Sequence, residues 1–176
     1  CKWRAVITIG SSIPSTACIV SNSNALARYA SLCQESDLVP IVEPEVLING
    51  DHDINKCNDV TKMSLDTLFE QLDIHNVFLG GTILKPSMVI SGDKNTNRAD
   101  APTVAEMTIK RLLDSCPTSL GGIAFLSGGQ SDDEATSHLN IMNTSNKNLP
   151  WRVTFSYARA IPVSYTHLTL PTSRSV

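Results

Sequence analysis

Apolar segments that read as strands and segments with a helical stripe follow one another in strict alternation along this chain. That alternation constrains the fold more than any other feature of the sequence. Strand-like runs are predicted at Trp3 to Ile9, Val39 to Val46, Val77 to Leu84, Gly122 to Leu126 and Trp151 to Ser156. Between them lie helical stripes. Leu26, Tyr29, Ala30 and Cys33 predict a helix near Asn24 to Gln34, and Leu65, Leu68, Phe69 and Leu72 one from about Lys56 to Leu72. Ile109, Leu112, Leu113 and Cys116 predict a third near Thr103 to Cys116, and Ala135, Leu139 and Met142 a fourth over Asp132 to Met142. Such alternation implies an α/β fold with a parallel sheet and right-handed crossovers, which a doubly wound sheet and a (β/α)8 barrel both satisfy.

The placing of chemically useful residues separates the two. Lys2 and Arg4, Glu43 and Glu45, Lys85, Ser127, then Ser156 and Arg159 occur about once per βα unit, toward the C-terminal sides of successive strands. Contributions from every strand to one mouth belong to a barrel, whereas a doubly wound sheet gathers its site at one switch point. No G-x-G-x-x-G run is present. The expectation is an incomplete (β/α)8 TIM barrel holding about strands four to eight, with the first three strands and the terminal helix lying outside this sequence. Residues 1–161 are expected to form that portion. Residues 162–176, a mix of Pro, Ser, Thr and Leu without helical period, are expected to be a non-native or disordered tail.

Lys85 is the oddest residue within this framework. It interrupts the apolar run from Val77 to Ile90 and is followed at once by Pro86, which forces the chain out of regular structure. Burying an ammonium is costly, a neutral amine is far less so, and a neutral amine is a nucleophile toward carbonyls. A Schiff-base lysine at a strand end is the sharp reading, and a surface lysine closing a strand is the plain one. Glu43 and Glu45 share a strand face by the period of two, with Pro44 turned the other way. They offer an acid/base and a partner for a cation, or else are two solvated loop acids. Lys2 and Arg4 also share a face, with Trp3 packing oppositely. Ser127, Gly128 and Gly129 form a strand-to-helix turn suited to a phosphate, and Ser156 and Arg159 one strand later strengthen that reading.

Composition excludes other classes. A net charge of −3 with the 14 Lys and Arg dispersed argues against nucleic-acid binding. No apolar stretch reaches the roughly 18 residues of a membrane span, so a soluble, cytoplasmic protein is expected. The five cysteines form no C-x-x-C pair, which signals neither a disulfide framework nor a zinc site, and Cys33 and Cys116 read as packing residues. Asp51, His52 and Asp53 resemble metal ligands but precede a helix, where acids stabilise the N-terminus, so no metal is expected. His75 and His138 read as surface or packing residues.

Taken together, KWR at Lys2 to Arg4, LARYASLCQ at Leu26 to Gln34, VPIVEPE at Val39 to Glu45, GDHD at Gly50 to Asp53, GTILKP at Gly81 to Pro86, FLSGGQS at Phe125 to Ser131 and FSYARA at Phe155 to Ala160 resemble class I fructose-bisphosphate aldolase. The likeness runs from Cys1 to about Ile161. It implies that Lys85 forms a Schiff base with the C2 ketone of fructose 1,6-bisphosphate or dihydroxyacetone phosphate. It also implies that Glu43 is the acid/base, that Lys2 holds charge, and that Arg4 and Glu45 set the local ion network. Ser127, Gly128, Gly129, Ser156 and Arg159 would hold the phosphate. The iminium is the electron sink, so no cofactor is implied, and the parent enzyme would be a homotetramer acting on a phosphorylated sugar. Gly80, Ser87 and Ala158 stand where the family commonly has Glu, Asn and Gly. Two other readings are a catalytically inactive barrel fragment, either an artefact of sequence assembly or an interaction module, and another Schiff-base aldolase such as transaldolase. SGGQS and VEPE together argue against the latter.

Overall fold

The structure, a computed structural model, describes residues 1–146 and 148–157. Arg159 and the stretch 162–176 lie outside the described residues. Strands β1 (Lys2–Ile7), β2 (Ile41–Val46), β3 (Ile83–Leu84), β4 (Gly122–Phe125) and β5 (Val153–Phe155) alternate with helices α1 (Thr16–Glu35), α2 (Ile54–Ile74), α3 (Ala101–Ser115) and α4 (Asp132–Ser145). The strands make one parallel sheet in the order β1-β2-β3-β4-β5. Sequential order without reversal, with α1 packed on α2, α2 on α3 and α3 on α4, is the arrangement of a barrel wall. A doubly wound sheet reverses its strand order and divides its helices between two faces. The outer face of the sheet, with Ile7, Val42, Leu84, Ile123 and Phe125, meets Leu26, Leu68, Leu72, Leu112 and Met142 in one core.

Local chemistry starts each helix. Ser15, Asp53, Asp100 and Ser131 are the N-caps, each accepting from the backbone N–H three residues on. Asp53 therefore serves the start of α2, the role its position suggested. Helix α1 begins eight residues earlier than its apolar stripe predicts. Ile19 and Ser23 extend the buried stripe back toward Ser15, and the small Ser23 sits inside where a larger residue would announce itself.

The run around Lys85 departs most from expectation. The predicted strand Val77 to Leu84 is a strand only at Ile83–Leu84; Leu79–Gly81 is a turn of 3-10 helix. Phe78 exchanges backbone hydrogen bonds with the Gln34 side chain rather than with a strand, and it is exposed. The ladder between β2 and β3 ends with Lys85 N–H donating to the Val42 carbonyl at 2.8 Å. Pro44 is tolerated in the middle of the sheet for that reason. Its missing N–H would face β3 beyond the last paired residue, and the next β2 carbonyl on that side, Val46, accepts from Ser87 Oγ at 2.9 Å.

Pro86 to Ser91 is buried yet irregular, so its backbone needs partners from side chains. Thr108 Oγ1 accepts from Val89 N–H at 3.0 Å and Cys57 Sγ from Ile90 N–H at 3.4 Å. Thr108→Val keeps the shape and removes the acceptor, leaving a buried N–H unpaired. The expected loss is about 1–3 kcal/mol of stability, read from the urea midpoint, and an unchanged midpoint would contradict this role.

Candidate active site

The inner faces of β1 and β2 and the C-terminal ends of β3, β4 and β5 bring the sequence-predicted residues together around a cavity of ≈ 370 Å³ lined by Lys2, Arg4, Glu43, Glu45, Lys85, Leu126, Ser127, Gly128 and Ser156, with Lys2 and Arg4 in the first half of β1 rather than toward its C-terminal side. Register explains the convergence. Arg4 lies beside Glu43 and Val6 beside Glu45, so alternate residues of β1 and β2 share the inner face. Lys2 and Arg4 each lean one pleat toward the mouth and meet an acid diagonally. Lys2 Nζ lies 2.8 Å from Glu43 Oε2, and Arg4 Nε donates to Glu45 Oε2. The Glu45 side-chain hydrogen bond is the main cause raising the Arg4 pKa above its ordinary value. Trp3 points outward as its parity requires, its ring 5.6 Å from that of Tyr29.

Lys85 is 4% exposed, which removes the plain reading of a surface lysine. Its Nζ lies 3.3 Å from Glu43 Oε1, while the other oxygen of the same carboxylate holds Lys2. One buried carboxylate thus bridges two amines, an inner one out of water and an outer one half exposed. Glu43 and Glu45, 4% and 7% exposed, are likewise not solvated loop acids. Three cations against two carboxylates leave the wall with a positive excess, which favours an anion.

The far wall comes from the segments after β4 and β5. Gly128 and Gly129 take φ of 61° and 88°, and a Cβ on Gly128 would lie 2.8 Å from Leu126 Cδ1. Gly128 lines the cavity; Gly129 stands just behind, against Ile48. Ser156 N–H donates to the Phe125 carbonyl, and the next residue, Tyr157, anchors its segment to α4 through its hydroxyl on the Ala135 carbonyl at 3.0 Å. Burial pushes the Tyr157 phenol up to about 12. Arg159, expected beside Ser156, lies outside the described residues. Sequence reasoning missed Leu126, although the period of two from Gly122 through Ala124 places it on the inner face.

Two histidines are buried, His52 just before α2 and His138 within α4. His52 and His138 both have pKa values below the ordinary 6.5, with desolvation the largest cause. Protonation is then harder in the folded than in the unfolded chain. Their contribution to stability stands in full above pH 6.5 and is lost as pH falls below it. The urea midpoint is expected to fall from about pH 7 to about pH 5.5, above the carboxylate range, and a His52→Gln/His138→Gln variant to show a flatter profile. Equal slopes in the two proteins would contradict this.

A barrel-type parallel sheet with a buried lysine and a carboxylate at its C-terminal mouth defines the class of lysine-bearing α/β-barrel proteins. The family model for class I fructose-bisphosphate aldolase, of the glycolytic group, matches residues 1–169. The chain belongs to the class I fructose-bisphosphate aldolase family. It is 56% identical over 160 residues to a probable fructose-bisphosphate aldolase class 1 of Xanthomonas campestris pv. campestris, covering 91% of this chain and 48% of that protein. It is 50% identical over 163 residues to fructose-bisphosphate aldolase B of Gallus gallus, covering 93% and 45%. A solved Plasmodium falciparum fructose-bisphosphate aldolase, in complex with TRAP and a small-molecule inhibitor, superposes with a TM-score of 0.89 at 42% identity, covering 93% of this chain and 47% of that one. The chain spans about half the length of the relatives it matches.

Proposed function

We propose that this chain carries the imine-forming site of a reversible aldol cleavage, taking fructose 1,6-bisphosphate to dihydroxyacetone phosphate and glyceraldehyde 3-phosphate. The observation that carries the reading is the Lys85 amine, buried and 3.3 Å from Glu43 Oε1, in the same cavity as the Ser127–Gly128 turn and Ser156. Glu43 takes a proton from Lys85, and the neutral amine adds to the C2 ketone. Glu43 then gives a proton to the carbinolamine oxygen, which leaves as water and forms the iminium. Glu43, ionised again by that step, takes the C4 hydroxyl proton, and the C3–C4 bond breaks. Its electron pair moves into the iminium to give an enamine, and the aldehyde departs. Return of that proton to C3 and addition of water to the iminium release the ketone and restore Lys85.

Lys2 holds the second oxygen of Glu43 through these transfers, and Arg4 holds Glu45 aside from them. The turn at Ser127, Gly128 and Gly129, with Ser156 and Arg159, holds a substrate phosphate. The positive excess of the cavity wall supports this.

Cleavage followed by coupled reduction of the released triose phosphate tests the whole reading, with chelator-insensitive turnover as the expected result. The five strands leave β1 and β5 paired on one side only among the described residues, and that observation favours a second reading, a barrel portion without turnover. An imine adduct without cleavage would favour the second reading for this chain, and neither adduct nor cleavage in a folded chain would sink the first.

A further inference from the structure

The turn that walls the cavity after β4 is held from behind by a chain of contacts ending inside α4. Gln130 closes the turn, and both its Nε2 and its backbone N–H donate to the Ser127 carbonyl, at 3.0 Å and 3.1 Å. A carbonyl oxygen only accepts, which fixes the amide NH2 at Ser127 and turns Oε1 toward His138, whose Nδ1 lies 2.7 Å away. Two acceptors share no hydrogen bond, so Nδ1 carries the proton. His138 is 3% exposed, two turns into α4. Burial lowers its pKa, with Glu134 opposing that shift and Arg98 adding to it, so the ring is neutral near pH 7 and its tautomer decides whether the contact forms.

We propose that His138, as the Nδ1–H tautomer, is a positioning residue that sets the Ser127–Gly129 turn for a phosphate by holding Gln130; this rests on reading that turn as the phosphate cradle. The turn has reason to need a brace. Gly128 and Gly129 both sit at positive φ, where glycine is permitted but loses the most conformational freedom on ordering. A turn already held in its binding shape spares the anion that ordering, and affinity rises accordingly. A hydrophobic residue at 138 would fill the same space in α4 and leave Gln130 Oε1 without a donor. Packing and positioning are therefore separable by experiment.

The test uses the full chain in two measurements. Nitrogen-15 resonances of His138 at pH 7.5 are expected to show Nδ1 protonated and Nε2 bare; the opposite tautomer overturns the proposal. Calorimetric titration with inorganic phosphate is expected to show binding weakened about tenfold in His138→Leu and within about threefold of the parent in His138→Asn, which keeps a donor. Unchanged phosphate affinity in a folded His138→Leu chain overturns the positioning role and leaves the cradle standing. No phosphate binding by the parent chain overturns both. Should His138→Leu fail to fold, Gln130→Met carries the test, with the same tenfold weakening expected and undiminished binding overturning it.

Discussion

Lys85→Met is expected to abolish covalent capture of a ketose phosphate while leaving the chain folded. The amine is the group that bonds to substrate carbon in the proposed reaction, and losing it should lower cleavage by about 10⁴-fold or more, as losses of covalent nucleophiles do. Stability should move the other way or not at all. Methionine fills the space with apolar atoms, removes a buried cation, and leaves Glu43 its contact with Lys2. A reductive-trapping assay beside a urea titration checks both halves. Full capture in the variant would remove Lys85 from the chemistry, and loss of capture with loss of folding would point to a structural lysine.

Glu43→Gln has the second large effect, because it strands a cation. Lys85 is 4% exposed, and its contact with Glu43 is its only ion pair among the described residues. Breaking a buried pair from one side leaves an uncompensated charge, for an expected loss of about 3–5 kcal/mol. Lys2 is half exposed and turns to water at little cost. The double variant Glu43→Gln/Lys85→Met should regain most of the loss, since it removes the stranded charge as well. A cycle of four urea midpoints measures the coupling, and additive losses would contradict the bridge. Trapping in Glu43→Gln should slow by about 10²–10⁴-fold, the usual share of an acid/base group.

The barrel architecture was legible in the sequence because its two signals are periodic. The alternation of strand and helix survives small errors in each element, and the parity of Lys2, Arg4, Glu43 and Glu45 follows from the pleat alone. Lys85 stood out for a related reason, since a charge in an apolar run is visible without a structure. What could not be read are features set by partners distant in sequence. The strand predicted from Val77 begins only at Ile83 because Gln34 takes the backbone of Phe78. Helix α1 starts early because Ser23 fits inside, where its polarity hides the stripe. The buried stretch after Pro86 has no period at all, its backbone being satisfied one group at a time by Thr108 and Cys57. His138 reads as a surface or packing residue and Gln130 only as part of the SGGQS run, and it takes their hydrogen bond to place both behind the Ser127 turn.

The role of Lys85 is tested most directly by locating the covalent adduct. Incubation of the chain with dihydroxyacetone phosphate, reduction with borohydride and peptide mapping by mass spectrometry should find one reduced adduct, on Lys85 and on none of Lys2, Lys56, Lys62, Lys94, Lys110 or Lys147. An adduct centred on another lysine, or spread over several, would contradict the assignment of Lys85 as the imine-forming residue.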